Sequence, residues 1–83
     1  MFVPTVLVIG PYRFYFYSHE INEPPHIHVD RESFSAKFWL KEVSLANNLG
    51  FQKKELNVLL ELVNKHQKQF LDQWYGYFSP KNR

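Results

Sequence analysis

Apolar and polar residues alternate along the first half of the chain with the period of two that is typical of β-strands. The alternation and the density of β-favouring residues predict strands at about 5–9, 12–17, 26–31 and 34–40. Gly10 and Pro11 form a turn-favouring dipeptide between the first two strands, which predicts a hairpin. The second strand carries five aromatic residues in six positions, a composition that suits a pleated surface better than a helix.

The second half of the chain changes to a helical period. Apolar side chains recur three or four positions apart at Leu56, Leu60, Val63, Phe70, Trp74 and Tyr77. Gln67 is the one polar interruption of this stripe. The pattern predicts a helix, straight or bent, over about 52–77, ended by Ser79 and Pro80. Between the two halves the pattern weakens, and Asn47 to Gly50 predicts a turn or a short helical piece.

These elements indicate a small α+β domain. We expect an antiparallel meander of about four strands, with one face covered by the long C-terminal amphipathic helix. The opposite face is then left to solvent or to a partner, and an unpaired sheet edge beside many rings makes a homodimer plausible.

Composition supports a single folded domain spanning 1–83. The chain has 83 residues, of which 45% are hydrophobic and 22% charged, so disorder is not expected. Eight Phe, five Tyr and two Trp supply large side chains for a small core. The absence of Cys excludes disulfides and thiolate sites, which favours a cytoplasmic setting. We see no membrane span or signal peptide, because apolar runs such as 6–9 are far too short.

Alternation also predicts the composition of the uncovered face. If Ile27, Val29 and the apolar positions of 34–40 face the helix, the intervening side chains share the other face. We place Arg13 there as well, since burying an unpaired guanidinium would cost several kcal/mol. The resulting outer face comprises Arg13, Tyr15, Tyr17, His26, His28, Lys37 and Trp39.

This outer face is cationic and aromatic, which suits a phosphodiester substrate. Arg13 and Lys37 can clamp phosphate, while Tyr15, Tyr17 and Trp39 offer surfaces on which bases stack. His26 and His28 can divide the general-base and general-acid roles, with Glu20 in the preceding loop as an orienting group or base. The arrangement is that of a nuclease that needs no metal or cofactor. Because the histidines are expected to be exposed, replacing either with Ala should change stability by no more than ~1 kcal/mol.

The residues leave other interpretations open. His26 and His28 can be structural, or they can bind a metal ion with Glu20 or His66 as a third ligand. Tyr15 and Trp39 can instead form a non-enzymatic surface that docks a partner protein. The net charge of +2 is too small to argue for nucleic acid by itself.

The motifs Gly10-x-Tyr12-Arg13-Phe14, Glu23-Pro24-Pro25-His26-Ile27-His28-Val29 and Ala36-Lys37-Phe38-Trp39-Leu40 resemble the domain of unknown function 4160 family. This resemblance implies a small bacterial cytoplasmic protein, often encoded beside a second protein of the domain of unknown function 2442 type. Some members are described as toxins of toxin–antitoxin pairs. The resemblance therefore implies a toxin that acts on RNA or on translation, with an antitoxin-like partner.

Overall fold

A five-stranded antiparallel sheet followed by two helices makes up the computed structural model, which describes residues 4–78. The strands follow one another across the sheet in chain order, as a meander. They are β1 (Thr5–Ile9), β2 (Tyr12–Tyr15), β3 (His26–Arg31), β4 (Phe34–Trp39) and β5 (Ser44–Leu49). The helices are α1 (Lys53–Lys65) and α2 (Gln67–Phe78), and neither is long and apolar enough to cross a membrane. The predicted α+β class is confirmed.

The strand register explains how the alternating sequence becomes a core. Phe14 lies opposite Val29, which in turn lies opposite Ala36, and Ile27 lies opposite Phe38. All five residues are buried on the face that the helices cover. Helix residues of the same buried cluster are Leu59, Val63, Phe70 and Trp74. The set of sheet residues on the inner face is therefore the one that alternation predicts.

The fifth strand was not predicted. Residues 44–49 pair with β4, although the sequence there indicated only a turn or a short helical piece. Both leucines of β5, Leu45 and Leu49, are exposed, so the strand buries no row of apolar side chains that would reveal its period. Its extended conformation is held by backbone pairing with β4. The Asn48 side chain adds two hydrogen bonds, because it accepts the N–H of Phe51 and donates to the carbonyl oxygen of Phe51. Strand β2 ends at Tyr15, two residues before the predicted end.

The predicted long helix is interrupted at His66, which divides it into α1 and α2. Gln67 begins α2 and donates a hydrogen bond of 2.6 Å from its side chain to the carbonyl oxygen of Leu40. The polar interruption of the apolar stripe therefore ties the helix break to the end of β4. The predicted helix end at Ser79 and Pro80 lies outside the described residues.

An ion pair joins the other end of the sheet to the start of α1. Glu55 accepts hydrogen bonds from Arg31 at 2.6 and 2.7 Å and from the Tyr12 hydroxyl at 2.7 Å. The hydrogen bond from Arg31, followed by that from Tyr12, lowers the pKa of the Glu55 carboxyl group. This contact fixes the first helical turn over the hairpin formed by β3 and β4.

We predict that Glu55→Gln weakens the pH dependence of stability. The folded-state pKa of Glu55 lies below its unfolded value of ~4.3, so its contribution is present above that value and is lost as pH falls through the folded one. Urea unfolding between pH 7 and pH 3 should therefore show a less stable variant at neutral pH and a smaller acid-induced loss. Glu61→Gln, at an exposed position of the same helix, is the matched control and should stay within ~0.5 kcal/mol of wild type. Identical pH profiles for the Glu55 variant and wild type would contradict the prediction.

Candidate functional site

The register of β2, β3 and β4 assembles the outer face. Tyr15 lies opposite His28, and His28 lies opposite Lys37. Two positions away along β3, His26 lies opposite Trp39. Residues from three strands, separated by up to 24 positions in the chain, thus become neighbours because the strands pair in this register.

Glu20 completes the site from the loop that joins β2 to β3. Its carboxylate lies 2.8 Å from Nε2 of His26 and 3.1 Å from Nε2 of His28. The backbone N–H of Tyr17 donates a third hydrogen bond to the same oxygen, at 3.0 Å. The Glu20 side chain is only 10% exposed, so the loop folds back over the sheet and places a carboxylate between two imidazoles. We call Glu20, His26 and His28 the Glu20 cluster.

His26 is fully buried, which corrects the expectation of an exposed position. It begins β3 at the end of the sheet, where Trp74 of α2 covers it with a ring separation of 4.9 Å. The Trp39 ring makes an edge contact at 5.9 Å. The sequence could not reveal this contact, because the helical period marks Trp74 only as a core residue and does not show what it covers.

Hydrogen bonding fixes the role of each nitrogen of His26. Nδ1 lies 2.9 Å from the carbonyl oxygen of Pro24, and because a carbonyl only accepts, Nδ1 must donate. Nε2 faces the Glu20 carboxylate, which is also an acceptor when ionised. Burial acts to raise the pKa of Glu20, but the hydrogen bonds from His26 and from the Tyr17 backbone outweigh it and lower the pKa. An ionised Glu20 therefore requires a cation, a proton or a metal ion, between itself and His26.

His28 is the more exposed of the two histidines in the cluster. Its side chain is 13% exposed, and its ring stacks on Tyr15 at a centroid separation of 5.2 Å. Burial lowers the pKa of His28 more than the neighbouring Glu20 raises it, so the ring is neutral at pH 7. Nδ1 makes no hydrogen bond to residues 4–78, yet no buried side-chain nitrogen or oxygen there lacks a partner. Nδ1 is therefore accessible to water.

A shallow cavity of about 190 Å³ opens beside His28. Its lining combines rings, amides and one cation, from Tyr15, Tyr17, His28, Ser35, Ala36, Lys37, Asn47 and Leu49. Four of the predicted site residues therefore line this one cavity: Tyr15, Tyr17, His28 and Lys37. Arg13, His26, Trp39 and Glu20 lie around it but do not line it.

The two predicted phosphate-binding cations already have partners. Lys37 Nζ lies 2.6 Å from a carboxylate oxygen of Glu23 and 4.7 Å from the centre of the Trp39 ring. Arg13 lies over the Tyr15 ring at 4.6 Å and donates from Nε to the Thr5 hydroxyl at 3.0 Å. An anionic ligand would have to compete with Glu23 for Lys37, whereas the exposed Arg13 meets no carboxylate within salt-bridge distance among the described residues.

Tyr15 is a structural member of the outer face and not an exposed stacking surface. It is 5% exposed, and its hydroxyl donates to Asp30 at 2.9 Å. Burial, the largest cause, and the hydrogen bonds of the hydroxyl raise the pKa of Tyr15 far above its ordinary value. Tyr17 and Trp39 remain half-buried, so they keep part of their ring surfaces accessible.

The cluster also has the composition of a metal site. One ligand atom each from Glu20, His26 and His28 lies within 4.8 Å of the others. The sequence also offered His66 as a possible third ligand. His66 lies away from the cluster, at the break between α1 and α2, where its Nδ1 donates to the carbonyl oxygen of Leu62. Of the two possible third ligands, only Glu20 meets the histidine pair.

The protein is a small α+β domain: an antiparallel meander with helices on its inner face and a histidine pair on its outer face. A family model described as Domain of unknown function (DUF4160) matches residues 12–75, which include the whole Glu20 cluster. The chain belongs to this family. Comparison with curated proteins and with solved structures finds no significant match.

We predict that His26→Ala destabilises the protein by about 2 to 4 kcal/mol, because it leaves a cavity under Trp74 and removes the donor to Pro24. Urea unfolding followed by tryptophan fluorescence measures the change. His19→Ala, at an exposed position of the loop that precedes β3, serves as the control and should stay within ~0.5 kcal/mol. Equal stability of the two variants would show that His26 is not held as described.

Proposed function

We propose that the protein is a toxin that acts on RNA or the translation machinery, with its chemistry at His28 beside Glu20. The observation that supports this most is the orientation of His28: Nε2 is held by the Glu20 carboxylate while Nδ1 is accessible beside the cavity. A histidine held by a carboxylate on one nitrogen and free on the other is the usual arrangement of a general base.

Each nitrogen of His28 then has a role. Because neutral His28 donates its Nε2 proton to Glu20, Nδ1 carries a lone pair. That lone pair can accept a proton from a hydroxyl group in the cavity, such as the 2′-hydroxyl of RNA, which distinguishes RNA from DNA. Glu20 orients the ring and stabilises the imidazolium that forms.

The surroundings suit a phosphodiester. Lys37 faces the same cavity and can exchange its exposed partner Glu23 for a phosphate oxygen. Arg13 stands exposed beside Tyr15 and offers a second cation. Tyr17 and Trp39 can each stack on a base through the ring surface that remains accessible.

The proposal changes the roles expected for two residues. His26 is buried, so it positions Glu20 and does not contact substrate. Tyr15 supports His28 from beneath through ring stacking and does not bind a base. The partner that the proposal requires is an antitoxin-like protein of the domain of unknown function 2442 type, which would cover the same outer face.

Induced expression in a bacterial host tests the proposal. We expect wild type to arrest growth with loss of total RNA, and His28→Ala to reduce the effect at least ~100-fold, the lower limit typical of a lost general base. The matched control is His66→Ala, which removes a histidine from the helix break. Circular dichroism and protein levels must show that all three chains fold. Arrest by His28→Ala as strong as that by wild type would contradict the assignment.

A non-enzymatic docking module is the second candidate, and one observation favours it. Leu49 of the edge strand β5 is 64% exposed and borders the same cavity, and Leu45 of β5 is 44% exposed. Leu49 lies opposite Ser35 at the rim of the cavity, whereas Leu45 lies opposite Phe38 beside helix α1. An exposed leucine on an edge strand beside this cavity suits a protein contact.

This second candidate predicts a different ranking of variants. Leu49→Ser and Trp39→Ala should each weaken binding to the antitoxin-like protein by at least ~1 kcal/mol, while His28→Ala should change it little. Titration calorimetry with the purified partner measures this, and Val58→Ser, at an exposed position of α1, is the control. Light scattering of the free protein detects a homodimer. Unchanged affinity in both the Leu49 and Trp39 variants would exclude this docking surface.

A further inference from the structure

The Glu20 cluster presents a problem of charge and hydrogen bonding. Nδ1 of His26 is committed as a donor to Pro24, so in the neutral ring Nε2 carries a lone pair. That lone pair faces a carboxylate oxygen at 2.8 Å, and two acceptors at this distance repel each other. A proton between them would create a buried imidazolium–carboxylate pair, whose desolvation is costly. A metal ion bound to Nε2 of His26 would remove this repulsion.

The spacing of the cluster fits ligands of one ion. Ligands that bind a first-row metal ion at about 2.1 Å lie about 3.0 to 3.4 Å from each other in octahedral or tetrahedral geometry. The carboxylate oxygen of Glu20 lies 2.8 Å from Nε2 of His26 and 3.1 Å from Nε2 of His28. All three ligand atoms lie within 4.8 Å of one another, so a small outward movement accommodates an ion.

The groups behind the cluster are those that support metal ligands. A metal-binding histidine usually donates its other ring N–H to a backbone carbonyl, which fixes the nitrogen that binds. Nδ1 of His26 donates in this way to Pro24, and the Glu20 carboxylate accepts the backbone N–H of Tyr17. Strand β3 and the loop before it therefore supply the three ligands together with the backbone groups that orient His26 and Glu20.

We propose that Nε2 of His26, Nε2 of His28 and the carboxylate of Glu20 bind one divalent transition-metal ion. Two imidazoles and one carboxylate, with further positions open, suit zinc, cobalt or ferrous iron, whereas magnesium and calcium prefer oxygen ligands. His28 and the adjoining cavity leave one side of the ion open to water or to a ligand. The other side is closed by the buried ring of His26 and by Trp74.

Metal binding does not depend on the proposed action on RNA, but it alters the role of His28 there. With Nε2 bound to the ion, a neutral ring carries its proton on Nδ1 and donates a hydrogen bond into the cavity. The acceptor of the substrate proton would then have to be another group. A test of metal binding without RNA therefore separates the two proposals.

The experiment is titration of the untagged, chelator-treated full chain with Zn²⁺ by calorimetry and with Co²⁺ by absorption. We expect one ion per chain and a ligand-field spectrum of nitrogen and oxygen ligands for Co²⁺. His28→Ala and Glu20→Gln should each weaken binding at least ~100-fold, since losing a ligand costs more than losing an outer partner. Mg²⁺ should not compete at equal concentration.

Two matched controls make the result decisive. His66→Ala and His19→Ala each remove a histidine outside the cluster and should bind zinc as wild type does. Circular dichroism confirms folding, and two independent ligand variants guard against the failure of one to fold. The proposal is overturned if folded wild type takes up neither ion at micromolar concentration, or if both ligand variants bind as tightly as wild type. Metal binding without any loss of RNA in the expression assay would leave this inference intact and remove the proposed function.

Discussion

The carboxylate of Glu20 is the constraint on which the outer face depends. It lies within hydrogen-bond distance of Nε2 of His26 and of Nε2 of His28 and accepts the backbone N–H of Tyr17, and so holds the loop between β2 and β3 against the sheet. An ionised carboxylate that is 10% exposed is costly unless such donors surround it. The same contacts that satisfy this charge also orient the two imidazoles. Loop structure and site geometry therefore have one physical origin.

The inner face makes this arrangement possible. Phe14, Val29 and Phe38 bury one side of the sheet under the helices, so the pairing register of β2, β3 and β4 cannot slip by one residue without exposing them. A fixed register on the inner face fixes the neighbours on the outer one. The hydrogen bond of Gln67 and the ion pair of Glu55 attach α2 and α1 to opposite ends of the sheet. Trp74 is thereby brought over His26.

Contacts within the outer face hold most of its charged and aromatic side chains in fixed positions. Lys37 is bound by Glu23, Arg13 lies on Tyr15, and Tyr15 is bonded to Asp30. Among these side chains, His28 combines a nitrogen held by Glu20 with a nitrogen accessible to water. The proposed roles of this ring as a base and as a metal ligand both use the space between Nε2 and Glu20.

The sequence alone determined the α+β class, the first four strands and the division of their residues between two faces. Periods of two and of 3.6 residues are local signals, and Phe14, Ile27 and Phe38 carry them strongly. The sequence also brought His28 and Lys37 to one face, because alternation and pairing decide this. It did not predict β5, whose leucines are exposed and whose order comes from pairing with β4.

Only the tertiary structure decided the burial of His26 and the meeting of its Nε2 with Glu20. Burial depends on what lies above a residue, and Trp74 reaches His26 from 48 positions away in the chain. The choice between Glu20 and His66 as neighbour of the histidine pair was equally non-local. Loop closure and helix docking bring distant residues together, and neither leaves a periodic trace in the sequence.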